Sequence, residues 1–343
     1  MTLQSEGTST SDGQRTGDGR LIVNCLPLIE AERRRFLEAA PGVCQEFVGD
    51  ESHRGDMVWP VDVPRGLRSR ATAVIGNVDP ATLGEYVRLE WLQTFSAGAD
   101  RYLSSSDLAP DVMVSNAAGV YGRPVAETMI AMMWALMKRI PDYVRNQSDA
   151  LWRDEGPVSS PVGRRALIIG TGDIGSHAAV LAKGAGMATT GVRRDPSRPA
   201  DGVDETVGFD HLDALLPRAD VVLLAVPSAP GTRHLLDARR LALLKPEAYV
   251  INGGRGDAVD CMALAVALHE DRLAGAGLDV TEPEPLPRDH PLWRERRCLI
   301  TPHVAGGNHL AGTGEAVIAV ALDNVRRYAE GLPPLHRLDR DPR

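Results

Sequence analysis

Three side chains of this 343-residue chain stand in settings that suit them for chemistry: Arg255, Glu284 and His303. Each follows a short apolar run and lies in a loop of small or stiff residues. Arg255 sits in Ile251-Asn252-Gly253-Gly254-Arg255-Gly256, where glycines let a ligand approach a guanidinium able to grip a carboxylate through two parallel hydrogen bonds. Glu284 lies in the proline-stiffened stretch Asp279-Val280-Thr281-Glu282-Pro283-Glu284-Pro285, and His303 follows Leu299-Ile300-Thr301-Pro302. Setting matters more than residue type here. With three lysines among 38 basic residues, 35 are arginine, and an isolated arginine in such a chain is ordinarily a surface residue. Taken together the three side chains suit the reduction of a ketone. Hydride addition develops negative charge on oxygen, which calls for a positive group to polarise the carbonyl and an acid to protonate it. Arg255 fits the first task and His303 the second, while Glu284 beside the imidazole favours the charged, proton-donating ring.

A hydride donor needs a place to bind, and residues 166–175 provide one. The run Ala-Leu-Ile-Ile is apolar on both faces, as a strand buried in a parallel sheet should be, and it ends at Gly170. Gly172 and Gly175 follow, and then Ile174, Ala178, Leu181 and Ala185 recur at helical steps. A glycine loop between strand and helix is an anion site: Gly170 allows the turn, Gly172 lets backbone approach a pyrophosphate, and Gly175 lets helix pack on strand. Asp173 and Ile174 open that helix and belong to the same candidate cofactor site, as do Pro227 and Thr232 past a later strand. At the end of the strand predicted over 188–192 stand Arg193 and Arg194, where an acid usually meets the ribose 2′-hydroxyl of NAD. The arginines favour NADP over NAD, and Asp195 next to them keeps NAD open.

The elements that must position these groups fill about two domains of ordinary size. Strands are expected over 21–25, 71–75 and 89–95 with a helix over 30–39, and then, after a helix over 125–139, six strands between 166 and 301. The expected fold is α/β, with two Rossmann-like, doubly wound parallel-sheet domains. The organisation read from the chain is a disordered polar leader over 1–19, a substrate-binding domain over 20–120, a dinucleotide-binding domain over 121–302, and a C-terminal segment, 303–343, whose helix returns to the first domain and makes it discontinuous. The net charge of −8 offers no field for nucleic acid or an anionic membrane. No apolar run is long enough to span a bilayer. Cys25, Cys44, Cys261 and Cys298 are scattered without a C-x-x-C pair, which argues for reduced thiols, against a metal site, and for a cytoplasmic setting.

Seven stretches in order resemble the D-isomer-specific 2-hydroxyacid dehydrogenases. They are Ser96-Ala97-Gly98-Ala99-Asp100, Val120-Tyr121-Gly122 with Val125-Ala126-Glu127, the glycine loop, Asn252 to Gly256 with Val259-Asp260, Asp279 to Pro285, His290-Pro291-Leu292-Trp293, and Thr301-Pro302-His303. The resemblance covers nearly everything after the leader. It implies a glyoxylate- or hydroxypyruvate-reductase-like enzyme, with Arg255, Glu284 and His303 as the catalytic set and Asp279 near the nicotinamide amide. It also implies that Gly76, Asn77 and Gly98 bind the substrate carboxylate through backbone amides, and that the protein is a homodimer built on the helix over 125–139. Thr281, where an aromatic is usual, and Asn308 set the substrate pocket apart from the common pattern. A dinucleotide-sensing corepressor is the alternative from another class, and the intact Arg/Glu/His set favours the enzyme. A formate-dehydrogenase-like activity is disfavoured, because that branch carries Gln where Glu284 stands.

Overall fold

The computed structural model describes residues 18–56, 59, 61–307 and 310–339; residues 1–17 of the expected leader, and Asn308, lie outside them. The chain divides into two compact units, one of residues up to 54, 58–117 and 317 onward, the other of 55–57 and 118–316.

In the first unit five strands run parallel: β1 (Leu21–Asn24), β2 (Cys44–Phe47), β3 (Ala73–Ile75), β4 (Trp91–Gln93) and β5 (Met113–Ser115). Their order 5-4-3-1-2 is doubly wound: the chain steps outward from β1 to β2, then crosses over to β3. Leu21, Val23, Val74, Leu92 and Val114 share one buried cluster. The second unit holds β6 (Arg165–Ile169), β7 (Ala188–Val192), β8 (Glu205–Val207), β9 (Val221–Leu224), β10 (Tyr249–Asn252), β11 (Gly275–Leu278) and β12 (Cys298–Ile300), all parallel in the order 12-11-10-9-6-7-8. Successive residues feed opposite cores. Leu167 and Ile169 join Val222, Leu224 and Val250 on one face, while Ala166 and Ile168 join Val221, Leu223 and Ile251 on the other. Both faces are therefore covered, which is why these strands read as unbroken apolar runs.

The helix Ala311–Ala329 carries residues of the first unit from Val317 onward, and a buried polar network fixes it there. Asn324 Nδ2 donates to Gln93 Oε1 at 2.6 Å, Ser115 Oγ donates to the same oxygen at 2.7 Å, and Trp91 Nε1 donates to Ser115 Oγ at 2.8 Å. The chain then adds β13 (Arg337–Leu338), which pairs antiparallel with β5, so the six-stranded sheet is mixed at one edge.

Two expectations are corrected. The second sheet has seven strands rather than six, because β8 (Glu-Thr-Val) is a short edge strand with no apolar run to announce it. The apolar helix, observed over Gly122–Met137, spends most of its apolar surface inside its own unit: Met129, Met132, Met133 and Met137 are buried where it packs on the helix Asp173–Gly184 and on β10 and β11. Among the described residues no helix is long and apolar enough to cross a membrane.

Candidate active site

All three candidate catalytic residues lie past the C-terminal ends of neighbouring strands of the second unit: Arg255 after β10, Glu284 after β11 and His303 after β12. The chain reverses between β6 and β9, the switch point where such sheets bind ligands.

His303 adopts φ 54°, a left-handed conformation that a non-glycine residue takes at a cost of order 1–3 kcal/mol. Asp279, at the end of β11, offsets that cost. Its backbone oxygen accepts from His303 N–H at 2.8 Å, and its buried carboxylate accepts from Thr301 Oγ1 at 2.6 Å, Val304 N–H at 2.9 Å and Ala305 N–H at 3.1 Å. So clamped, the loop aims the imidazole at the Glu284 loop, where His303 Nδ1 lies 2.7 Å from Glu284 Oε1. Both side chains remain about half exposed, at 50% and 43%, so the pair is accessible from solution. With Nδ1 facing a carboxylate, Nε2 is the nitrogen left to exchange a proton with a ligand.

Arg255 is presented by a splinted turn. The fully buried Asn252 accepts from Gly254 N–H at 3.1 Å and donates to Arg255 O at 2.9 Å. Neighbouring glycines are sterically required: a Cβ on Gly254 would meet Val226 N at 2.8 Å, and one on Gly256 would meet Thr281 O at 1.9 Å. The second contact packs the Arg255 loop directly on the Glu284 loop. Thr281 itself is buried, its hydroxyl donating to Pro283 O at 2.9 Å.

The glycine loop fits a dinucleotide phosphate on its own geometry. Gly170 turns at φ 89°, and a Cβ there would strike Ala225 O at 2.6 Å; a Cβ on Gly175 would strike Gly170 O at 1.8 Å. Gly172 differs, since a Cβ there would point into open space. No protein atom demands glycine at 172, and an approaching ligand would. Ser176 N–H is the first in the helix to find an intrahelical acceptor, Gly172 O at 2.9 Å, so the N–H groups of Asp173, Ile174 and Gly175 are free of helical bonds, as an anion site needs. Past β9, the Thr232 hydroxyl is engaged with Pro227 O at 2.6 Å and shapes its own turn. At the end of β7, Arg193 Nη1 is fastened to Arg198 O and Pro199 O at 3.2 and 3.3 Å, Arg194 is exposed, and Asp195 accepts from Ser197 Oγ at 2.6 Å, which helps hold its carboxyl below the usual range.

In the first unit, Gly76 turns at φ 141° because a Cβ would meet Cys25 Cβ at 2.6 Å, and its N–H is already given to Gln93 O at 2.8 Å. The Asn77 side chain bridges to the neighbouring loop, accepting from Phe95 N–H at 3.1 Å and donating to Ser96 Oγ at 3.1 Å. The backbone amides of Asn77 and Gly98 thus remain as the anion-binding candidates there. A cavity of about 410 Å³, lined by Arg139, Tyr249 and Arg297, opens at the N-terminal ends of β10 to β12, the edge of the sheet opposite the catalytic loops. No group of histidines, cysteines or acids able to hold a metal ion occurs among the described residues.

Residues 130–305 match the D-isomer specific 2-hydroxyacid dehydrogenase, NAD binding domain. The chain is 32% identical to glyoxylate/hydroxypyruvate reductase B of Shigella boydii serotype 4, over 74% of this chain and 79% of that one. Among solved structures, it resembles a D-isomer specific 2-hydroxyacid dehydrogenase family protein from Aeromonas salmonicida subsp. salmonicida A449 with a TM-score of 0.80 and 29% identity, covering 94% of this chain and 100% of the other. A D-isomer specific 2-hydroxyacid dehydrogenase from Xanthobacter autotrophicus Py2, in complex with NADPH and MES, gives a TM-score of 0.74 and 27% identity over 94% and 98% of the two chains. The chain belongs to the D-isomer-specific 2-hydroxyacid dehydrogenase family. It is an oxidoreductase with an NAD(P)-binding domain.

Proposed function

We propose that this enzyme reduces a small 2-keto acid of the glyoxylate or hydroxypyruvate kind to the D-2-hydroxy acid, with NADPH preferred over NADH. The observation that carries the reading is the 2.7 Å pairing of His303 Nδ1 with Glu284, on loops that share one sheet edge with Arg255 and the glycine loop. The glycine loop would hold the dinucleotide phosphates through the N–H groups of Asp173, Ile174 and Gly175, with Pro227, Thr232 and Asp279 beside the rest of the cofactor. When bound, the reduced nicotinamide supplies the hydride. Arg255 polarises the substrate carbonyl and stabilises charge on its oxygen. His303 delivers a proton to that oxygen from Nε2, and Glu284, facing Nδ1, holds the ring oriented. The amides of Asn77 and Gly98, with Gly76 making the turn, hold the substrate carboxylate. A corepressor-like sensor would need none of these proton-transfer groups.

Cofactor preference rests on the loop after β7. A 2′-phosphate accepts charge-assisted hydrogen bonds from a guanidinium. With Arg193 fastened to the loop's own carbonyls, Arg194 is assigned the phosphate contact. We also assign a two-fold homodimer in the cytoplasm. Support for the dimer comes from apolar side chains left exposed after the helix Gly122–Met137: Ile140 at 48%, Val144 at 55% and Trp152 fully open.

Oxidation of NADPH and of NADH, measured across glyoxylate, hydroxypyruvate and 2-keto acids of increasing side-chain length, tests the reading. Turnover should be fastest with glyoxylate or hydroxypyruvate and NADPH. Cofactor binding without turnover of any 2-keto acid would favour the sensor.

A further inference from the structure

The loop that carries Glu284 holds a second acid, and a second imidazole meets it. His234 Nε2 lies 2.6 Å from Glu282 Oε2, and Arg233 Nη2 lies 2.8 Å from Glu282 Oε1. Both partners come from the segment that leaves β9 through Pro227. The same segment is fastened to the Arg255 loop: Ser228 Oγ donates to the Asp257 carboxylate, His234 N–H donates to Asp257 O at 2.6 Å, and Leu236 forms a parallel bridge with Val259, donating to Ala258 O at 2.9 Å. His234 takes φ 45°, an unfavourable conformation for a residue with a side chain. That conformation lets its N–H reach the Arg255 loop while its ring reaches the Glu284 loop. These contacts are partly solvated, with His234 at 40% and Arg233 at 59% exposure, so they add little to global stability. Their effect is on geometry.

We infer that His234 is a positioning residue: residues 228–236 form a strap that sets the Glu284 loop against the Arg255 loop, with the bonds of His234 and Arg233 to Glu282 as its links on the Glu284 side. Glu282 stands two residues before Glu284, whose carboxylate holds His303. Its own N–H is anchored on Cys261 Sγ at 3.4 Å, and beside it Thr281 packs on Gly256. Releasing the Glu282 side chain therefore leaves one end of the loop pinned and frees the part that orients His303. The inference rests on the catalytic reading of Arg255, Glu284 and His303.

Steady-state kinetics with NADPH and glyoxylate on the full chain test it, using His234→Ala, Glu282→Ala, the double variant, and His234→Gln, whose amide can donate the same bond to Glu282. Each alanine variant should lower kcat about tenfold with less than about a twofold change in the KM for glyoxylate, and the double variant should be no slower than either single one. The thermal midpoint should stay at the wild-type value, and His234→Gln should recover at least half of kcat. Wild-type kcat in either alanine variant, losses that multiply in the double variant, or a loss that follows the thermal midpoint and is not recovered by glutamine would each overturn the inference. His303→Ala separates this from the reading beneath it. If His303→Ala is inactive while His234→Ala is not impaired, only the strap fails; if the wild type reduces no 2-keto acid, the catalytic reading fails and the strap falls with it.

Discussion

Asp279 touches the chemistry through the backbone it holds. A carboxylate accepts about four hydrogen bonds, and Asp279 uses its capacity on Thr301, Val304 and Ala305, the residues that bracket His303. Asparagine at this position would turn one acceptor into a donor facing N–H groups, and leaving a buried donor unpaired costs about 1–3 kcal/mol. Asp279→Asn should therefore lower the thermal midpoint and kcat together, which melting curves and initial rates on the same preparation would check. The two arginines after β7 make different contacts. If Arg194 meets the 2′-phosphate, Arg194→Asp should reduce the NADPH/NADH ratio of kcat/KM by about one to two decades, the equivalent of about 1.5–3 kcal/mol for a charged hydrogen bond. An unchanged ratio would return Arg194 to the surface background of this arginine-rich chain. Sequence names both arginines but does not separate their contacts, because the difference lies in the side-chain path of Arg193 back to the carbonyls of Arg198 and Pro199. His303, Glu284 and Arg255 were legible because each follows an apolar strand. His234 was not, since nothing in its neighbours announces a left-handed turn.

Among the elements, the glycine loop makes the sharpest distinction between folding and binding. Gly175→Ala would drive a Cβ into Gly170 O, against which the first turn of the helix Asp173–Gly184 cannot yield without leaving the sheet, so this variant should unfold at lower temperature. Gly172→Ala meets open space. It should keep the wild-type melting temperature and bind NADPH more weakly, by at least about tenfold if the added methyl displaces a charged phosphate contact. Fluorescence titration of both variants, with melting curves, decides this; equal destabilisation of the two would mean that Gly172 is a structural glycine. The strands around this loop could be read in the sequence because both of their faces are buried, which forces continuous apolar runs. Two edge strands, β2 and β8, escape for the opposite reason. The β2 residues Cys-Gln-Glu-Phe are all half-buried and β8 is partly exposed, so neither had to be apolar. The apolar face of the last helix can be read in the sequence. What fixes it in place, Asn324 on Gln93, is a polar contact between residues 231 positions apart, which no local pattern encodes.

For the whole molecule, the expected dimer has a changed basis. The apolar helix is largely satisfied by its own unit, so the surface proposed for a partner is the stretch after it, with Ile140, Val144 and Trp152. Light scattering at micromolar concentration should give the mass of two chains, and replacing Val144 and Trp152 together by arginine should give the mass of one; a wild-type monomer would contradict the assignment. The family fixes the reaction class, and its parts are proposed to lie on the loops past β10, β11 and β12. The most direct test of that assignment is glyoxylate-dependent NADPH oxidation by the wild type and by His303→Ala, with NADPH affinity measured on both. In the variant kcat should be lower by about 10²–10⁴, with affinity for NADPH within about twofold of the wild type. A variant that turns over at close to the wild-type rate would remove His303 from the mechanism and, with it, the role given to Glu284.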